Sequence, residues 1–434
     1  MYSKCDFAVW DLDTAGDVNK SRFRLIHFLQ TGGRLSSKTN EVRVTWCNDN
    51  CTSVRTLKPY HCRNTHRMGE KGRLTLTTSI VCIMPYVFIF TGVLITLYVW
   101  NVILLSTLKL LLGVFAVIFI IGPLVYKSSY RIQRSTIFLN YVTVPLQPNV
   151  SNPSKCGIKG VLNFYLTTND DVKLGVWHIV PEDLIEESTN QDESYYKSLL
   201  SNGRDIIIYN HGNAGNRSAP HRLELYEVLR RHFHVITFDY RSYGDSSNIP
   251  PCEMGAVRDS MYVYKWVREL TESNIYIWGH SLGTAISTHM LSLLTTAPNG
   301  LILESPFNNM RDEIGKHPIA FLFRSLPWFT YTVLNPVYDN NLRFKTDEHI
   351  NNVHCPIMIL HAKDDCIVPY NLGLKLYQDA QVNRRENQGK LYFRSFEATH
   401  KYGHKYICRA PELSTIIQQF VSECNVEKMR TSAL

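Results

Sequence analysis

From Ser79 to Tyr126 the chain carries one charged residue, Lys109, in a run dense in Leu, Ile, Val, Phe and Tyr. As one helix this run would be about 70 Å long at roughly 1.5 Å per residue, against a hydrocarbon core of about 30 Å. It must therefore divide, and the division is expected around Ser106 to Lys109. That leaves Ser79 to Leu105 and Leu108 to Tyr126, each long enough to span. A core helix of a water-soluble domain would show a polar face, and none interrupts the apolarity. The expectation is a membrane segment over residues 79–126, as one or two spans, with the rest of the chain tethered to a bilayer.

The formal charge of +8 is unevenly spread, since residues 1–77 hold 13 Lys and Arg against 7 Asp and Glu. The remainder is nearly neutral, which argues against a nucleic-acid partner. Residues 1–76 read instead as a basic flank retained on one side of a membrane. Lys127, Arg131 and Arg134 make the other flank basic too, so charge does not orient the segment. Two sequons, Asn149-Val-Ser and Asn216-Arg-Ser, could be used only on a luminal side. No short apolar segment opens the chain, so a cleaved signal peptide is not expected. Eleven scattered cysteines do not form a secreted disulfide framework. Cys47, Cys51, Cys62 and His66 have a spacing loosely like a zinc site, but they lack finger periodicity and read as isolated thiols beside a solvated histidine. Neither a metal nor an organic cofactor is expected.

After a linker over 127–156, the pattern becomes strand, loop, helix, repeated. Short apolar strands are expected at Val172–Ile179, Asp205–Tyr209, Val235–Asp239, Ile275–Trp278, Leu301–Glu304, Pro356–His361 and Leu391–Phe396. Helical patterns fall at Arg222–Arg231, Met254–Leu270 and Thr284–Leu294. Such alternation predicts an α/β domain, a mostly parallel sheet with helices on both faces, over 157–424, followed by a tail at 425–434. Chemistry in these sheets collects at the carboxyl ends of the strands.

One strand end reads Gly279-His280-Ser281-Leu282-Gly283 between an apolar strand and a helix. A serine on such a turn is lifted out of the sheet with a helix N-terminus behind it, as a nucleophile requires. Earlier in the chain, His211-Gly212-Asn213-Ala214-Gly215 follows another strand, and its glycines let backbone approach the reacting centre. The N–H groups of Asn213 and Leu282 are the expected oxyanion donors. An acid is expected after a later strand, where Asp364 and Asp365 are neighbours; the Asp-x-x-Val-Pro pattern favours Asp365. The base should follow it, and of His400 and His404 the second, just ahead of the final helix, is favoured. His211, His280 and His361 read as structural.

Taken together, the stretches HGNAG, VITFDYRSYGDS, YIWGHSLGT, LILESPF, ILHAKDDCIVP and GHKYI resemble the α/β-hydrolase family, and within it the integral membrane lipases. The resemblance implies an endoplasmic-reticulum protein with a luminal catalytic domain acting on lysophosphatidylserine and monoacylglycerols. It also implies Ser281 as nucleophile, His404 as base and Asp365 as the acid that orients it. Residues 1–76 and the apolar stretch 79–105 depart from that pattern. Between Pro306 and Lys345 lies an insertion rich in aromatics, including Phe321, Phe323, Trp328 and Phe329, which suits a lid for a single acyl chain. Two other readings use the same residues: a protein depalmitoylase, and a silent hydrolase fold serving as a membrane-tethered interaction protein. A complete catalytic set weighs against the second.

Overall fold

The apolar runs assemble into one eight-stranded sheet in a computed structural model that describes residues 42–48, 51–57, 87–143, 149–326 and 328–432. The chain divides into two units, Met1–His66 and Arg67–Leu434. In the first, β1 (Val42–Asn48) pairs antiparallel with β2 (Cys51–Leu57).

The larger unit holds β3 (Val161–Thr167), β4 (Lys173–Ile179), β5 (Ile206–Asn210), β6 (His234–Phe238), β7 (Ile275–His280), β8 (Gly300–Glu304), β9 (Ile357–Ala362) and β10 (Leu391–Phe396). Their order across the sheet is β10-β9-β8-β7-β5-β6-β4-β3, parallel from β10 to β6 and antiparallel at β4 and β3. The seven expected strands are all present. An eighth, β3, forms the antiparallel edge.

Every residue of β5, β6, β7, β8 and β9 is buried, because helices cover both faces. The two-residue period of a strand sorts their side chains into two cores. Ile206, Ile208, Ile275, Ile277, Leu301 and Leu303 pack on one face; Ile207, Tyr209, Tyr276, Trp278 and Ile302 pack on the other. The sheet order reverses beside β5, which lies between β6 and β7. Loops leaving β5 and β7 therefore open onto one crevice, where such sheets bind ligands.

Ahead of the sheet, Val87–Val99 is a short apolar helix, and Leu105–Ser128 is a helix long and apolar enough to cross a membrane. The break between them falls at residues 100–104, not at Ser106 to Lys109. Asn101 there adopts a left-handed φ of 58°, a conformation asparagine tolerates better than most residues, and Lys109 continues the second helix. The amino-terminal part of the expected first span, 79–86, lies outside the described residues. The linker is not a free connector. Its helix Tyr130–Phe138 buries Ile137 and Phe138 in the main core.

Candidate active site

Ser281 joins β7 to the helix Leu282–Leu293 with φ 52° and ψ −117°, a strained conformation for a residue with a Cβ. Its N–H donates to the Glu304 carbonyl at the end of β8, 2.9 Å away. The flanking glycines are there for space. A Cβ on Gly283 would stand 2.1 Å from the Asn210 carbonyl oxygen, and one on Gly279 would stand 2.6 Å from the Gly283 carbonyl. Strand end, turn and helix start are thus pressed together so tightly that only glycine fits beside the serine.

Asp365, in the loop after β9, accepts from His404 Nδ1 at 2.8 Å through Oδ2 and from the N–H groups of Ile367 and Val368 at 2.9 Å through Oδ1. Burial alone would raise this carboxyl. The adjoining His404, with His361 at 3.5 Å, outweighs it and holds Asp365 well below the usual carboxylate range. His280 ties this pair to the serine turn, its Nε2 donating to the His404 carbonyl at 2.8 Å. Burial and then the charge of His404 bring His280 down to about 3, so it remains a neutral strut. The other possibilities separate cleanly. His400 is exposed and stacks on Tyr402, while Asp364 accepts from the Gly403 N–H at 3.0 Å.

Across the crevice, Gly212 approaches so closely that a Cβ on it would meet His280 Nδ1 at 2.8 Å and Ser281 Cβ at 3.2 Å. Among the described residues no hydrogen bond uses the N–H of Asn213 or Leu282. Two features of this loop escape sequence reading. Buried Arg222 donates to the carbonyls of Gly212, Ala214 and Asn216 at 3.0, 2.8 and 2.5 Å, which fixes the backbone of the loop. The Asn213 side chain donates to the Ile137 carbonyl at 2.5 Å, and the Tyr243 hydroxyl donates to that of Phe138. The helix Tyr130–Phe138, just after the apolar helix Leu105–Ser128, therefore braces the loop. Arg222 lies in the first turn of the helix Pro220–Leu229, a place where charge is ordinarily solvated, so only its burial reveals the role.

Glu304 was also absent from the expected set. Burial pushes its carboxyl up to about 8 despite a 2.9 Å bond from the Trp278 indole, so it is largely neutral at pH 7. Ser281, Asp365 and His404 are 8 %, 6 % and 9 % exposed, which shields the centre from bulk water.

A His–His–Glu cluster lies elsewhere, at Glu253, His289 and His349. The two imidazoles stack at 3.7 Å with planes 13° apart, so their nitrogens do not converge on one point. Glu253 is already engaged by His289 Nδ1 and by the N–H groups of Arg343 and Phe344. The side chains of Cys47, Cys51, Cys62 and His66 lie outside the described residues. Of the sequon residues Asn149 and Asn216, the first is exposed and the second buried.

A family model described as the alpha/beta hydrolase fold matches residues 205–354. Lysophosphatidylserine lipase ABHD12 of Rattus norvegicus is 40% identical over 311 residues, 70% of this chain and 78% of that protein. The protein of the same name from Danio rerio is 39% identical over 316 residues, 72% of this chain and 81% of its own. Protein ABHD12B of Homo sapiens is 33% identical over 292 residues, covering 66% and 79%.

Proposed function

The chain belongs to the α/β-hydrolase family as a relative of the lysophosphatidylserine lipases, and from that premise we propose that it is a membrane-anchored serine lipase using Ser281, His404 and Asp365. Its relationship to the lysophosphatidylserine lipases, on this fold, supports a lipid hydrolase. The observation that carries the finer reading is the Asp365–His404 pair, held by His280 against the strained turn of Ser281.

With Nδ1 committed to Asp365, His404 offers Nε2 as the base. It takes the Ser281 proton as Oγ attacks the ester carbonyl carbon. The oxyanion accepts from the N–H groups of Asn213 and Leu282, an interaction worth several kcal/mol at such sites. Collapse expels the glycerol-side alcohol, which receives the proton from His404. Water, activated by the same histidine, then hydrolyses the acyl-enzyme and frees Ser281. Asp365 fixes the ring and stabilises the imidazolium throughout.

The proposed substrates are lysophosphatidylserine, the lipid in the relatives' name, and monoacylglycerols, which present the same single acyl ester. The catalytic unit is taken as 157–424, with residues 306–345 as its lid. Full-length protein in detergent micelles, given lysophosphatidylserine, a monoacylglycerol and a palmitoylated peptide thioester, is expected to release fatty acid from the two esters. Preferential thioester cleavage would instead identify a depalmitoylase. Absence of both turnover and fluorophosphonate labelling would leave only a non-catalytic role.

The same reading puts the enzyme in the endoplasmic reticulum membrane with its catalytic domain luminal. Exposed Asn149 is then the usable sequon, and buried Asn216 is not. Expressed in cells, the chain should shift on a gel after glycosidase treatment, and Asn149→Gln should abolish the shift. Digestion of the domain by protease added from the cytosolic side would place it on the opposite face.

A further inference from the structure

The lid does not rest on the catalytic domain alone. Trp328 and Phe329, with Ala320 and Leu334, form an apolar cluster that packs against Phe119 and Ile120 of the long helix and Val87 of the short one. Phe119 stands nine residues before Ser128, about 13 Å along the helix axis at 1.5 Å per residue. The basic flank of Lys127, Arg131 and Arg134 marks the polar end of that helix. Packing at Phe119 is therefore below the headgroup layer. The helix surface itself is made for lipid, with Leu110, Val117 and Ile121 each at least half exposed.

Beside this contact the lid turns through Pro318–Leu322 and exposes Ile319, Phe321 and Leu322 at 77 %, 63 % and 73 %. Three neighbouring large apolar side chains bared to this extent call for a covering phase. Arg324 lies over the Phe321 ring at 5.0 Å, an arrangement that keeps a cation at an interface while its stem lies on apolar surface. Between lid and helices is a cavity of about 290 Å³ lined by Phe90, Phe115, Phe119, Leu326, Trp328 and other apolar side chains. On the other side the lid meets the main core. Ile314 packs on both the lid cluster and the main core, and His317 is lowered by burial and by the charge of nearby His404.

We propose that the lid turn Ile319–Leu322 is inserted into the bilayer alongside the helix Leu105–Ser128, so that lipid enters the active site laterally from one leaflet. The covering partner is phospholipid hydrocarbon, because Ala320, in the middle of the exposed turn, belongs to the cluster packed on the apolar helix Leu105–Ser128. The route to Ser281 rests on the lipase reading; the position of the lid does not.

The test uses the full-length protein in phosphatidylcholine vesicles, carrying a photoactivatable phenylalanine analogue at position 321 or, as a reference, at the 85 % exposed Val382. With alkyne-bearing phosphatidylcholine in the vesicles, position 321 is expected to capture lipid about tenfold more than position 382. Equal capture overturns the proposal. A second arm carries Ile319→Ser and Leu322→Ser. Hydrolysis of vesicle-borne lysolipid should fall about tenfold, with hydrolysis of the water-soluble p-nitrophenyl butyrate kept within about twofold. Equal loss on both substrates would mean that the turn shapes the catalytic domain, and the proposal fails. If the unaltered protein cleaves neither ester, the lipase reading fails while lipid capture still decides where the lid lies.

Discussion

Ser281→Ala is expected to lower turnover by on the order of 10⁶-fold and to abolish fluorophosphonate labelling, while leaving the thermal midpoint nearly unchanged. The reasoning joins two features of one residue. Oγ is the only part of Ser281 that the proposed reaction consumes, and alanine keeps the Cβ that the turn already accommodates at φ 52°. Because that φ is costly for any residue with a Cβ, Ser281→Gly should be equally inactive yet more stable than the alanine variant, by about 1 kcal/mol. Inactivity with added stability would mark the strain as serving the chemistry. Persistent labelling of either variant would remove Ser281 from the role. Circular dichroism melts and labelling of the same preparations suffice to tell.

How much of this was legible beforehand depended on how local each signal is. The buried parallel strands β5 to β9 announce themselves as short apolar runs between turn residues. The edge strand β3, VLNFYLT, does not, because an antiparallel edge half open to solvent mixes polar residues into its period. The serine turn was readable since Gly279 and Gly283 are demanded by contacts within a few residues or with the adjacent strand end. The bracing of the loop over 211–215 was not. Arg222 meets its three carbonyls by virtue of burial, and Asn213 meets Ile137 across 76 residues of chain; no spacing rule encodes either. The division of the apolar segment was placed by its charge, whereas the structure divides it at Asn101, where backbone conformation breaks the helix. Lys109 can remain helical because a long side chain carries its charge away from the axis. The insertion over 306–345 was legible as an aromatic run, but its packing on the apolar helix Leu105–Ser128 is a long-range contact between two apolar surfaces, neither of which specifies the other in sequence.

The adjacent carboxylates pose the sharpest remaining contrast. Asp365→Asn is expected to cut turnover by about 10⁴-fold, since the amide can no longer hold His404 in the tautomer that leaves Nε2 basic, nor balance the imidazolium as it forms. Asp364→Asn, one residue away, should change turnover by no more than a few-fold, because its carbonyl oxygen can still accept from the Gly403 N–H. Asp365 also gives stability a pH dependence. The Asp365 carboxyl is held well below its unfolded value of about 3.9, so its contribution is fully present above roughly pH 4 and is lost only as pH falls through the depressed folded value. The stability gap between parent and Asp365→Asn should therefore close as pH falls from about 4 into stronger acid. Thermal melts across that range, paired with steady-state rates, check both halves. A large rate loss in Asp364→Asn together with a small one in Asp365→Asn would transfer the role to the neighbour, against the 2.8 Å bond that joins Asp365 to His404.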